Sequence, residues 1–75
     1  MGELVEYIAK SLVEKPDEVK VVVKEGESAV IIELSVAPED MGKVIGKQGR
    51  IAKAIRAVVK AASAKEDKKY IVEII

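Results

Sequence analysis

Leu4, Ile8 and Leu12 recur at four-residue spacing with Val5 alongside, while Glu6, Lys10 and Glu14 fall elsewhere on the same wheel. This spacing predicts an amphipathic helix over residues 3–14, ended by Pro16-Asp17. The period then shortens. Val19, Val21 and Val23 alternate with Lys20 and Lys24, the pattern of a half-buried strand over residues 19–24. Glu25-Gly26-Glu27-Ser28 reads as a turn, after which Val30, Ile32, Leu34 and Val36 alternate with Ile31, Glu33 and Ser35. Two such runs joined by a short turn predict an antiparallel hairpin, each strand with one buried face.

Ala37-Pro38-Glu39-Asp40 has the marks of a helix start, with proline near the first helical position and carboxylates in the first turn. That helix is expected to run to about Ile45 and stop at Gly46, where a residue without Cβ can turn the chain with φ > 0. A longer helix follows from Arg50 to about Ala64. Ile51, Ala52, Ile55, Val58, Val59 and Ala62 form its apolar arc, and Arg50, Lys53, Arg56 and Lys60 gather on another side. Ala54, Ala57 and Ala61 make a narrow strip between the two. The polar turn Lys65–Lys69 leads to a last strand, Tyr70 to Ile75, with Tyr70, Val72 and Ile74 on one face. Tyr70 and Tyr7, the latter beside the first helical stripe, are both expected to pack in the core.

The element order is therefore α-β-β-α-α-β, an α+β fold in a single domain over residues 1–75. A helix pair between the second and third strands is a crossover, so those strands should be parallel and the connection right-handed. The expected architecture is a three-stranded mixed sheet covered on one face by three helices.

Composition narrows the chemistry. The chain has no cysteine and no histidine, which excludes the usual zinc sites, disulfides, thiol catalysis and histidine acid–base chemistry. No cofactor and no metal are expected. No run approaches the ~18 apolar residues of a membrane span, and no apolar signal segment follows the N-terminus, so a cytoplasmic, membrane-free protein is expected. Its thirteen carboxylates are not matched by spacing to a second catalytic group, and so small a domain has little room for an enclosed pocket, so the chain is not expected to be an enzyme.

Net charge is zero, but the distribution is uneven. Residues 1–42 hold ten acidic and four basic side chains, whereas residues 43–75 hold three acidic and nine basic. Lys43, Lys47, Arg50, Lys53, Arg56 and Lys60 follow one another without an intervening anion. Local potential, more than net charge, decides where a polyanion docks.

The stretch Val44-Ile45-Gly46-Lys47-Gln48-Gly49-Arg50 lies at the centre of this run. Two glycines flank a cation and an amide between two helices, with Arg50 directly behind. A helix start fronted by cations is suited to an anion, and small glycines let a phosphate-bearing strand approach the backbone. It is not a Walker loop: three residues separate Gly42 from Gly46 where four are required, and Gln48 stands where Ser or Thr should bind magnesium. A DNA-reading helix-turn-helix is a closer rival, although Ile51 and Ala52 stand where such a helix places polar base-reading side chains. A protein-interaction module, with the glycine stretch as a plain tight turn, is the other alternative. Only two aromatic residues are present, too few for a base-stacking sheet surface.

The segment from Val44 to Ile55 resembles the signature of the KH RNA-binding domain, whose GxxG loop joins two helices. The element order is that of the type II KH fold. The whole chain is similar to the KhpA/YlqC family of small stand-alone bacterial KH proteins, through Pro38-Glu39-Asp40-Met41-Gly42 and Ile51-Ala52-Lys53-Ala54-Ile55-Arg56. Ala52 departs from the broad pattern, where a larger aliphatic is common, with Ile51 and Ile55 available to fill the volume. The resemblance implies that the chain holds about four nucleotides of single-stranded RNA. Gly46 and Gly49 shape the loop, backbone N–H groups near Lys47, Gln48 and Gly49 face phosphates, and Lys47, Arg50 and Lys53 add charge. Ile45, Ile51 and Ile55 each line either the groove floor or the core, and Lys43, Arg56 and Lys60 supply a general attractive field. It further implies a role as an RNA chaperone or post-transcriptional regulator linked to cell elongation and division, acting as a homodimer or with a larger KH-domain protein.

Overall fold

The computed structural model describes residues 1–75, apart from the side chain of Lys47. Its elements are α1 (Gly2–Leu12), a single 3-10 turn at Pro16–Glu18, β1 (Lys20–Glu25), β2 (Ala29–Ser35), α2 (Pro38–Ala62) and β3 (Lys69–Ile74). The sheet has the order β1-β2-β3. β1 runs antiparallel to β2, with Val21 opposite Leu34, and β3 runs parallel to β2, with Val72 opposite Ile32. The parallel pairing follows from chain length: the helical connection is long enough to return β3 to the same end of the sheet as β2.

α2 differs from expectation in where it breaks. Helix continues past Gly46, which keeps a negative φ, and the chain turns instead at Gln48 and Gly49, with φ of 65° and 68°. These two left-handed residues divide α2 into two arms, residues 38–47 and 50–62, so three helices cover the sheet and the order α-β-β-α-α-β holds. Left-handed backbone pushes Cβ against the following carbonyl, at a cost of about 1–2 kcal/mol for a residue other than glycine. Gly49 avoids that cost, and Gln48 bears it.

One face of the sheet carries the core. Val30, Ile32 and Leu34 of β2 and Val72 of β3 pack with Val5 and Ala9 of α1 and with Val44, Ala52, Ile55 and Val59 of α2. The alternation in β2 follows the expected faces. The helical arcs are narrower than predicted: Leu12, Val58 and Ala62 are exposed, and the buried line of α1 runs through Val5 and Ala9. Tyr7, expected in the core, is 73% exposed, whereas Tyr70 is partly buried against the core.

Asp40 is fully buried. Its two carboxylate oxygens accept the backbone N–H groups of Glu14 and Lys15, each at 3.0 Å. The carboxylate thus satisfies donors that the chain exposes on leaving α1, and it ties that segment to the first turn of α2. Two ion pairs reinforce the junction, Lys15 with Glu39 and Lys43 with Glu14. Lys43, expected to act only as part of a general field, is therefore engaged within the protein.

Candidate nucleic-acid interface

The left-handed turn places a groove of about 360 Å³ beside itself. Ile45, Gln48, Gly49, Ala52, Lys53 and Arg56 of α2 line it, and Ile74 of β3 closes the far side. Within the second arm, Ala52 and Arg56 stand at i and i+4 with Lys53 beside them, the spacing that brings side chains onto one helix face, and Gly49 lies just before the arm begins. The floor is apolar, from Ile45, Ala52 and Ile74, and the two cations stand over it.

Ile45 is 57% exposed and lines the groove; Ile55 is fully buried in the core; Ile51 is partly buried against the core. The choice left open for these three thus falls to Ile45 as the groove residue. An isoleucine this open contributes little to folding, and its apolar surface is available to a ligand. Of the other expected residues, Gln48, Gly49 and Lys53 meet in the groove. Gly46 is partly exposed with open space around it, and Arg50 is exposed one position past Gly49, so neither is among the lining residues. The side chain of Lys47 lies outside the described residues.

Arg56, expected only as part of the general field, also lines the groove, with Ala52 and Ile74. The i, i+4 spacing of Ala52 and Arg56, with Lys53 between them, carried that signal for both. Ile74 had none, because its place depends on how β3 docks against α2. Among the described residues, Arg50, Lys53 and Arg56 form no ion pair, in contrast to Lys15 and Lys43. The groove therefore combines an apolar floor with uncompensated positive charge, an arrangement that suits a base on the floor and phosphates at the rim. No group of three or more His, Cys, Asp or Glu side chains among the described residues is placed to hold a metal ion, and no helix is long and apolar enough to cross a membrane.

A three-stranded mixed sheet under three helices, with a glycine-flanked turn between two of them and a cationic groove beside it, defines an α+β domain of the type II KH class. Residues 2–74 match the KH domain of KhpA/KhpB, and the chain belongs to that family. Among its relatives, the protein named RNA-binding protein KhpA from Clostridium perfringens is 71% identical over 75 residues, covering all of both chains. The protein of that name from Clostridium acetobutylicum is 68% identical, again over all of both chains. The one from Borreliella burgdorferi is 52% identical over 73 residues, which cover 97% of this chain and 89% of its own. No solved structure gives a significant match.

Proposed function

We propose that this protein binds short single-stranded RNA, with the backbone of about four nucleotides passing over Gly46–Gly49 and bases entering the groove beside it. The observation that carries the reading is the groove itself: an apolar floor including a largely exposed isoleucine, under two cations without carboxylate partners among the described residues. The names of the relatives point the same way. Lys47, Arg50 and Lys53 attract the phosphates, Arg56 joins them, and Ile45 meets a base. The protein works as a binding module in the cytoplasm, as an RNA chaperone or post-transcriptional regulator of the kind linked to cell elongation and division. A site of four nucleotides recurs by chance roughly every 256 positions, too often to select a transcript alone. Pairing with a second copy or with a larger KH-domain protein supplies the missing selectivity by joining two sites.

The test is the double variant Lys47→Asp with Gln48→Asp. Both glycines remain, and aspartate tolerates the left-handed backbone found at residue 48, so the turn can still form. One cation is replaced and two anions appear where phosphates must sit, at about 1 kcal/mol or more for each bad contact. The expected result is a melting temperature near the parent's and binding weakened at least tenfold, roughly, in fluorescence anisotropy with labelled single-stranded RNA. With three or four phosphates neutralised, log K of the parent should fall against log[salt] with a slope of roughly −2 to −3. Unchanged affinity in the variant, or a preference for duplex DNA, overturns the assignment.

A further inference from the structure

We propose that the bound strand does not end in this groove but continues into a second pocket, where one further base lies against Tyr70. The inference rests on the RNA-binding reading above and extends its footprint. The second pocket, of about 530 Å³, lies between the last turns of α2 and the start of β3. Arg56 lines both hollows, so the two adjoin at this residue. Val59, Tyr70 and Val72 give the second pocket an apolar floor, and Lys60, Lys68 and Lys69 stand around it. No carboxylate lines it, and among the described residues none of those three lysines forms an ion pair. This repeats the chemistry of the first groove, with an aromatic side chain added.

The geometry also bounds the path. From Ala52 to Val59 the helix advances about 10 Å, which roughly three more nucleotides cover at about 3.4 Å per stacked step. Beyond Tyr70 the surface changes sign. Glu25, Glu66 and Asp67 outnumber Lys68 around a neighbouring hollow that Tyr70 also borders, so its lining is net negative. A phosphate is repelled there, so the strand ends at the tyrosine. Tyr70 is partly buried against the core, so little rotamer freedom is lost when a base stacks on it, and stacking of this kind tolerates any base. The footprint is accordingly about seven nucleotides, with the last one held by stacking and charge rather than by base-edge reading.

Affinities of labelled 4-mer and 7-mer single-stranded RNAs decide the matter, measured for the parent, for Lys68→Glu with Lys69→Glu, and for Tyr70→Leu. Leucine keeps apolar volume against the core and removes the aromatic face, and thermal melts establish that each variant is folded. A 7-mer offers a tetranucleotide site roughly four registers, so about a fourfold gain needs no second pocket. The expected gain is about tenfold or more beyond that, from stacking on Tyr70. Both variants should bind the 4-mer within about twofold of the parent and lose most of the additional gain for the 7-mer. The charge variant alone suffices if Tyr70→Leu does not fold. A 7-mer gain no larger than the register factor overturns the inference, as does equal weakening of 4-mer and 7-mer in the variants. So does a polyglutamate peptide that binds the parent but not the charge variant while 7-mer binding is unaltered, because the pocket then takes protein. Failure of the parent to bind the 4-mer is a different result, which overturns the RNA reading itself.

Discussion

Replacing Gly46 by alanine should make the domain more stable and its hold on RNA weaker. Gly46 lies in the first arm of α2 with a negative φ, and a Cβ built on it meets no atom within 4 Å. The fold therefore gives no reason for glycine at this position. Inside a helix, alanine is favoured over glycine by about 0.5–1 kcal/mol, because glycine loses more backbone freedom on folding. In a domain of this size 1 kcal/mol moves the melting temperature by about 4–8 °C, so a rise of roughly 2–8 °C is expected. The added methyl group stands where a phosphate is taken to approach the backbone. Loss of one charge-assisted contact corresponds to about tenfold in affinity. Thermal melting by circular dichroism and anisotropy with labelled RNA measure the two effects on one sample. Gly42→Ala is the control, since a Cβ there also meets nothing within 4 Å, and that position is not among the proposed contacts. It should raise the melting temperature without weakening binding. A lower melting temperature for Gly46→Ala would show that the glycine serves the fold, and unchanged affinity would show that RNA does not approach it.

Asp40→Ala should destabilise the protein by about 2–4 kcal/mol, because two backbone donors lose a charged acceptor; urea unfolding measures it, and Asp40→Asn should recover part of the loss. Gln48→Gly should stabilise by about 0.5–1 kcal/mol by relieving left-handed backbone at a residue with a Cβ, and an unchanged urea midpoint would refute the cost assigned to that φ. The Lys15–Glu39 pair predicts a pH window. A hydrogen bond from Lys15 holds the Glu39 carboxyl below the usual carboxylate range, and the same bond to Glu39 raises the Lys15 amine. The pair's contribution is lost as pH falls through the lowered Glu39 value and again as pH rises through the raised Lys15 value. The stability difference between parent and Lys15→Met should therefore be greatest between those limits, shrink at both ends, and shrink with added salt because the pair is exposed.

The parts of the fold legible in the sequence are those set by local periodicity. β2 reads correctly because Val30, Ile32 and Leu34 keep a period of two, with Glu33 and Ser35 marking the other face, and a one-residue error would invert the whole strand. α1 is correctly placed, but its buried line runs through Val5 and Ala9, and Tyr7 and Leu12 are exposed. The turn of α2 was expected at the first glycine and occurs at Gln48 and Gly49, since glycine permits left-handed backbone without compelling it. Asp40 looks in sequence like any first-turn carboxylate. Its partners are backbone N–H groups 25 and 26 residues earlier in the chain, and no side-chain pattern marks those. Within the groove, Ala52, Lys53 and Arg56 share a helix face that periodicity could have assembled, whereas Ile74 is supplied by a strand whose docking only tertiary packing decides.

The zero net charge and the polyanion reading are reconciled by where the charges sit. Ten of the thirteen carboxylates precede Lys43, on α1, β1, β2 and their connections and in the first turn of α2. β1 occupies the sheet edge opposite β3, and β3 is the edge that meets the groove. Carboxylates near the junction of α1 and α2 are paired with Lys15 and Lys43, so they neutralise cations outside the groove. Arg50, Lys53 and Arg56 form no such pair among the described residues. A uniformly basic domain would attract RNA to every face, in many orientations. Here like-charge repulsion disfavours the acidic side, and attraction is concentrated along the side of α2 and β3 that carries the unpaired cations. Neutralising part of the acidic half, for example by Glu3→Gln with Asp17→Asn and Glu18→Gln, should therefore strengthen total RNA binding while loosening its dependence on the groove. The measurable sign is that Lys53→Ala should cost less affinity in that background than in the parent. An equal cost in both backgrounds would mean that the acidic side plays no part in orienting the strand.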